Sequence, residues 1–240
     1  MSIPQNLESL FQAMACAAAR SGRSPEAVTL LAVVKGHPLA EIRQVYEAGQ
    51  RLMGLNRIQE ATDKIPRLPS DIAWHMIGHI QTNKARLVPR LFRMAHSVDS
   101  LRLARALDKG WKAMLEEEPE SAPAGERFDV LLEVNIAGEA SKFGLAPDEV
   151  ESCLRQVVAL DGLRARGLMT MAPYTQDPEG TRPVFRALRE MRDRLRDLGL
   201  DHAPLDHLSM GMTNDFEVAI EEGATIVRVG SAIFDPQGRS

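Results

Sequence analysis

The stretch "VTLLAVVKGHPLAEIRQVYEAG", residues 28–49, decides how the chain is read. Its first part is a mostly apolar run rich in the branched residues that suit a pleated, buried strand. The run ends in Lys35, and Gly36 and Pro38 break it. Pro38 then opens and Gly49 closes a helical pattern with Leu39, Ile42, Val45 and Tyr46 on one face. A strand, a turn and an amphipathic helix make one β/α unit.

The same grammar recurs outward from this unit. Further strand-like runs are "RLMGLN" (51–56), "WHMIGHI" (74–80), "RMAHSVD" (93–99), "FDVLLEVNI" (128–136), "RARGLMTM" (164–171), "LDHLSMGM" (205–212) and "ATIVRVGSAIF" (224–234). Helical patterns lie between most of them. In "TRPVFRALREMRDRLRDLG", Val184, Leu188, Met191, Leu195 and Leu198 recur at helical spacing, and the arginines and acids read as a solvated face. "NDFEVAIEEG" opens with Asn214 and Glu217 at capping-box spacing. The acidic stretch 116–126 has too few apolar residues to pack and reads as a loop. Repeated strand–helix alternation predicts an α/β protein with a single (β/α)8 TIM barrel, and a doubly wound sheet is the alternative. We expect one domain over 1–240, with an N-terminal helix in 1–22, carrying Leu7, Leu10, Phe11 and Met14 on one stripe, and the barrel in 28–234.

Composition narrows the function classes. The 240 residues are 44% hydrophobic and 26% charged, as in soluble globular proteins. A net charge of −4 argues against a general nucleic-acid binder. No apolar run approaches the ~20 residues of a membrane span, so no membrane partner is expected. Cys16 and Cys153 stand far apart, outside any zinc or redox spacing, which suits a cytoplasmic protein.

In such a barrel the chemistry gathers where strands end. Strand alternation puts Leu31, Val33 and Lys35 on one face. If that face lines the barrel, desolvation would favour the neutral amine of Lys35, the form that attacks a carbonyl. The plainer alternative is a lysine that snorkels to water. In the last run Ile226, Arg228 and Gly230 share a face, and an inward arginine needs an acceptor. Gly230–Ser231, with Ser209, Gly211 and Thr213 on the preceding run, reads as a phosphate cradle, although each turn alone could be plain. A lysine and a phosphate cradle at one mouth suit a ligand with an aldehyde at one end and a phosphate at the other. Pyridoxal 5′-phosphate fits, as does a sugar phosphate in a class I aldolase.

The segments "AVVKGHP", "GLNRIQE", "WHMIGHIQTNK", "EVNIAGEASKFG", "RGLMTM", "LSMGMTNDFEVAI" and "ATIVRVGSAIF" resemble, in order, the YggS/PROSC family of pyridoxal phosphate homeostasis proteins. The resemblance spans residues 28–234. It implies a barrel similar to the N-terminal domain of alanine racemase that holds pyridoxal phosphate as an aldimine without robust catalysis. It further implies transient delivery to apo-enzymes. By the same resemblance Lys35 is the aldimine lysine and Arg228 faces the pyridine nitrogen. Ser209, Gly230 and Ser231 touch the phosphate, with Gly211, Met212 and Thr213 nearby. Asn56 lies near the ring or aldimine and Met169 below the cofactor. The chain departs from the family pattern at Val34 (usually serine), His37 (usually a second lysine) and Leu55 (usually glutamate).

The residues also suggest quiet chemistry. An arginine at the pyridine nitrogen keeps it unprotonated and makes the ring a poor electron sink. Of the two phenols, Tyr46 reads as core and Tyr174 as loop surface. With no second domain expected, a monomer is the default. A low-activity racemase-type enzyme is the alternative function. His75 and His79 have the i, i+4 spacing of zinc ligands, but their flanks read as strand and no third ligand accompanies them, so no metal is expected. Lys84 reads as a solvated helix lysine.

Overall fold

Each of the eight apolar runs forms a strand, and the hydrogen-bond ladders follow chain order until the last meets the first. The strands are β1 (Thr29–Val33), β2 (Leu52–Leu55), β3 (Ala73–Met76), β4 (Met94–Val98), β5 (Phe128–Glu133), β6 (Leu163–Met169), β7 (His207–Ser209) and β8 (Ile226–Val229). All pairings are parallel, and β8 pairs with β1, so no sheet edge is left open. This closure excludes a doubly wound sheet. The computed structural model describes residues 2–122, 125–139 and 142–235.

The helices are α1 (Ile3–Arg20), α2 (Leu39–Glu47), α3 (Ile58–Lys64), α4 (Val88–Leu91), α5 (Leu101–Glu117), α6 (Val150–Val157), α7 (Arg182–Arg196), α8 (Phe216–Glu221) and α9 (Ser231–Phe234). None of the described helices is long and apolar enough to cross a membrane.

Strand alternation divides the apolar residues into two layers. Leu30, Ala32 and Val34 join the large core between strands and helices. Their neighbour Leu31 is buried but turned away from that core, and its register partner on β8 is Arg228. Inside the barrel, Met94, Leu131 and Met169 form a separate small cluster. It floors the space on which the strand ends open.

Several local expectations change. On α1, Leu7, Leu10 and Met14 are buried, but Phe11 is 43% exposed. On α7 the buried row is Phe185, Leu188, Met191 and Leu195. Val184 sits at its margin and Leu198 lies past the helix end, 38% exposed. The start of α8 is organised by Asp215, whose Oδ1 accepts the Met212 N–H at 2.7 Å, and not by Asn214. Asn214 instead donates to the Thr175 carbonyl at 3.0 Å.

The arginines of α7 are also more than a solvated face. Arg182, Arg186 and Arg189 converge on Glu222, whose side chain is only 5% exposed. Three guanidinia around one carboxylate tie α7 to the end of α8. The acidic stretch begins in order: α5 runs to Glu117 and a 3-10 turn covers Pro119–Ser121, while residues 123 and 124 lie outside the described residues. Tyr46 is held from the side: its hydroxyl donates to Asp71 at 2.9 Å, and the Arg51 guanidinium lies 3.8 Å from its ring centre.

Candidate functional site

Lys35 sits one residue beyond Val34 and two beyond the end of β1, in a turn that Gly36 completes at φ +77°. That backbone conformation favours glycine. The expectation that strand packing would bury the lysine is not met: Lys35 is exposed, and its side chain has no hydrogen-bond partner among the described residues. The apolar strand carries the residue to the rim of the barrel and leaves its amine free.

Arg228 is the opposite case. It is 5% exposed and faces the barrel interior from β8. Its Nη1 donates to Ser209 Oγ at 2.7 Å, and its Nη2 donates to the Thr170 carbonyl at 3.0 Å. Burial lowers its pKa to about 10, against the raising influence of Glu133 and Asp215, so it keeps its proton at neutral pH. A guanidinium has five N–H groups. The others have no protein acceptor among the described residues.

A chain of buried groups continues behind the arginine. Ser209 Oγ lies 2.9 Å from His96 Nδ1, and His96 Nε2 lies 2.9 Å from His75 Nδ1. Burial depresses the pKa of His75 to about 3 and that of His96 well below its ordinary value, so both rings are neutral. Arg228 can only donate, so Ser209 Oγ accepts from it. The two neutral rings extend this anchor as a hydrogen-bonded row, in which the donor of each ring contact is set by the histidine tautomer.

Ser209 is 0% exposed and its hydroxyl is committed to Arg228 and His96. Its hydroxyl thereby anchors the arginine. The hydroxyls that do meet at the mouth are Ser231 and Thr213, 2.9 Å apart, from the segments after β8 and β7. Gly211, at φ +91°, lets this segment pass close to α8: a Cβ there would stand 2.5 Å from Ala219 Cβ. Gly230 packs its α-carbon against Val33, where a Cβ would meet the Val33 carbonyl oxygen at 3.1 Å. Met212 projects outward at 38% exposure.

Asn56 follows β2 at half-buried depth, and Gly78 packs directly on its backbone. Met169 lies in the interior cluster below the mouth. His75 faces inward within the polar chain, while His79 pairs with Asp99 at 3.1 Å and stacks on Phe143. They serve different environments, and among the described residues no group of three or more metal-binding side chains occurs. Tyr174 is 83% exposed.

Three functional-looking residues escaped the sequence reading. His96 and Thr170 both serve the Arg228 anchor, and the signal for them was the inward arginine's need for acceptors. The third is Glu133 at the end of β5, two residues past Leu131 on the inward face. It is 4% exposed, and its carboxyl has no hydrogen-bond partner among the described residues. Burial first, and the negative Asp99 second, raise its pKa to about 7, with Arg228 opposing.

A closed barrel with a rim lysine after β1 and a buried arginine on β8 defines a protein of the alanine racemase N-terminal domain class, and the model of that domain matches residues 6–236. A pyridoxal phosphate homeostasis protein of Pseudomonas aeruginosa is 41% identical over 234 residues, covering 97% of this chain and 95% of its own. One from Aquifex aeolicus is 38% identical over 236 residues, covering 98% of each chain. The solved structure of PipY from Synechococcus elongatus with pyridoxal phosphate bound has a TM-score of 0.80 and 36% identity, over 97% of this chain and 100% of that one. The chain belongs to the pyridoxal phosphate homeostasis protein family.

Proposed function

We propose that this protein binds pyridoxal 5′-phosphate at the barrel mouth and holds it reversibly on Lys35, for intracellular homeostasis and delivery of the cofactor. The observation that carries the reading is Arg228: a buried, anchored cation with N–H groups left over for a ligand acceptor. The cofactor's pyridine nitrogen is such an acceptor. The free amine of Lys35 and the Ser231–Thr213 hydroxyl pair suit its aldehyde and its phosphate. Relatives of more than a third identity carry the homeostasis name, and PipY was solved with the cofactor.

When bound, the cofactor supplies an aldehyde for covalent capture and a ring that can accept electrons. Arg228 holds a proton of its own and donates, so it leaves the pyridine nitrogen unprotonated and the ring a weak electron sink. Ser209 and Thr170 hold the guanidinium in place. Gly230, Ser231, Gly211 and Thr213 supply the phosphate end, Met212 borders it, Asn56 flanks the ring and Met169 floors the site. The protein then acts as a cytosolic, monomeric carrier that hands its cofactor to apo-enzymes.

Purified protein mixed with the cofactor should gain a visible absorbance band that Lys35→Ala abolishes. No band in the wild type would refute the reading. Glu133 favours one alternative, a weak racemase-type activity, because it puts an acid–base group with a near-neutral pKa at the mouth. That reading requires washout of α-deuterium from amino acids that Glu133→Gln abolishes.

A further inference from the structure

The turn that carries Lys35 is clamped on both sides by groups that, among the described residues, form no hydrogen bond or ion pair with its side chain. On the strand side, the Val34 N–H joins the ladder through the Gly54 carbonyl at 3.1 Å. On the far side, the Gly36 N–H donates to Glu60 Oε1 at 2.8 Å. Lys64, one turn along α3, donates to the His37 carbonyl at 2.5 Å and to the same Glu60 oxygen at 2.6 Å. Both side chains are about five-sixths buried, at 14% and 16% exposure. Water therefore screens this pair less than a surface pair.

A second connection leaves the same turn. The His37 ring stacks on Phe234, with ring centres 3.6 Å apart and planes 16° from parallel. Glu41 holds the other edge of the imidazole at 2.8 Å. Phe234 ends α9, the short helix that Ser231 begins. The turn bearing the lysine and the segment bearing the phosphate-side hydroxyl are thus joined by direct ring contact.

We propose that Glu60, Lys64 and the His37–Phe234 stack form a brace that sets Lys35 at a fixed distance from the Ser231 end of the site. These are positioning residues for covalent capture, and the inference rests on the reading that Lys35 captures the cofactor's aldehyde. In that step Lys35 Nζ bonds to the aldehyde carbon, and the oxygen leaves as water with the two amine protons. The stem of lysine is long and flexible, so the position of its backbone decides how much of its range reaches a ligand held at its other end. In this chain His37, which stands where the family usually has a second lysine, makes the ring contact that links the two ends.

The test uses two probes. Pyridoxal 5′-phosphate presents an aldehyde, whereas pyridoxamine 5′-phosphate has the same ring and phosphate without one. In Glu60→Ala and Lys64→Met, the Kd for pyridoxal phosphate should rise about tenfold, as expected for loss of roughly 1.4 kcal/mol. The fraction of Lys35 trapped by borohydride should fall with it. Pyridoxamine phosphate should bind both variants within about twofold of wild type. Lys64→Arg, which keeps the donor, should restore capture, and Phe234→Leu should also lower capture of pyridoxal phosphate while leaving pyridoxamine phosphate within about twofold of wild type. Equal losses for both probes in Glu60→Ala and Lys64→Met would make the clamp merely structural and overturn the brace, as would unchanged capture. A wild type that traps no cofactor on Lys35 would overturn the underlying reading as well, which separates the two failures.

Discussion

Arg228 and Glu133 show how one mouth gives two charged residues opposite fates. Both are nearly buried, yet Arg228 is anchored by Ser209 and Thr170, whereas the Glu133 carboxyl has no hydrogen-bond partner among the described residues. The folded protein therefore holds the Glu133 proton up to about pH 7, while the unfolded chain loses it near 4.5. Between those values folding takes up a proton, so the contribution of this group is full below pH 4.5 and lost as pH rises through 7. Glu133→Gln should match the wild type near pH 4.5 and be more stable at pH 8, by on the order of 3 kcal/mol in urea unfolding of the cofactor-free protein. A variant no more stable at pH 8 would contradict the unpartnered state. Lys35 and Arg228 were legible from sequence because one ends an apolar run and the other interrupts one. Glu133 was not, since a lone acid near a strand end looks like any solvated rim residue. The depth of Lys35 was misjudged for a related reason: alternation gives its face, but the break at Gly36 turns the chain out to the rim first.

At the scale of elements, the strands were readable because both faces of a parallel barrel are buried, which makes each strand a short continuous apolar run. Helix registers were less so. On α7 a choice between Val184 and Phe185 was open to periodicity alone, and packing selected the larger ring at 0% exposure. The arginines of that helix could not be paired from sequence because Glu222 lies a whole β/α unit away. Glu222→Gln should destabilise the protein by about 1–2 kcal/mol, because the carboxylate is buried but its guanidinia are partly in water. Thermal melts at low and high salt check this. A variant as stable as wild type in low salt would show that the cluster adds nothing to the α7–α8 contact.

Across the whole molecule, barrel closure makes the site from residues far apart in the chain. β1 brings Lys35 and β8 brings Arg228, and their strands pair directly at Leu31 and Arg228. The segments after β7 and β8 bring Thr213 and Ser231 together, and α9 returns to touch the Lys35 turn. Sequence reading reached this arrangement through strand order, because a barrel makes the first and last strands neighbours. It could not reach the interior polar chain, where β3, β4, β7 and β8 each give one side chain and the contacts depend on stagger between strands. The most direct test of the central claim is peptide mass after borohydride reduction of the full chain incubated with pyridoxal 5′-phosphate. The account predicts one phosphopyridoxyl group, on the peptide containing Lys35. An unmodified Lys35 peptide, or a label carried mainly by another lysine, would contradict it.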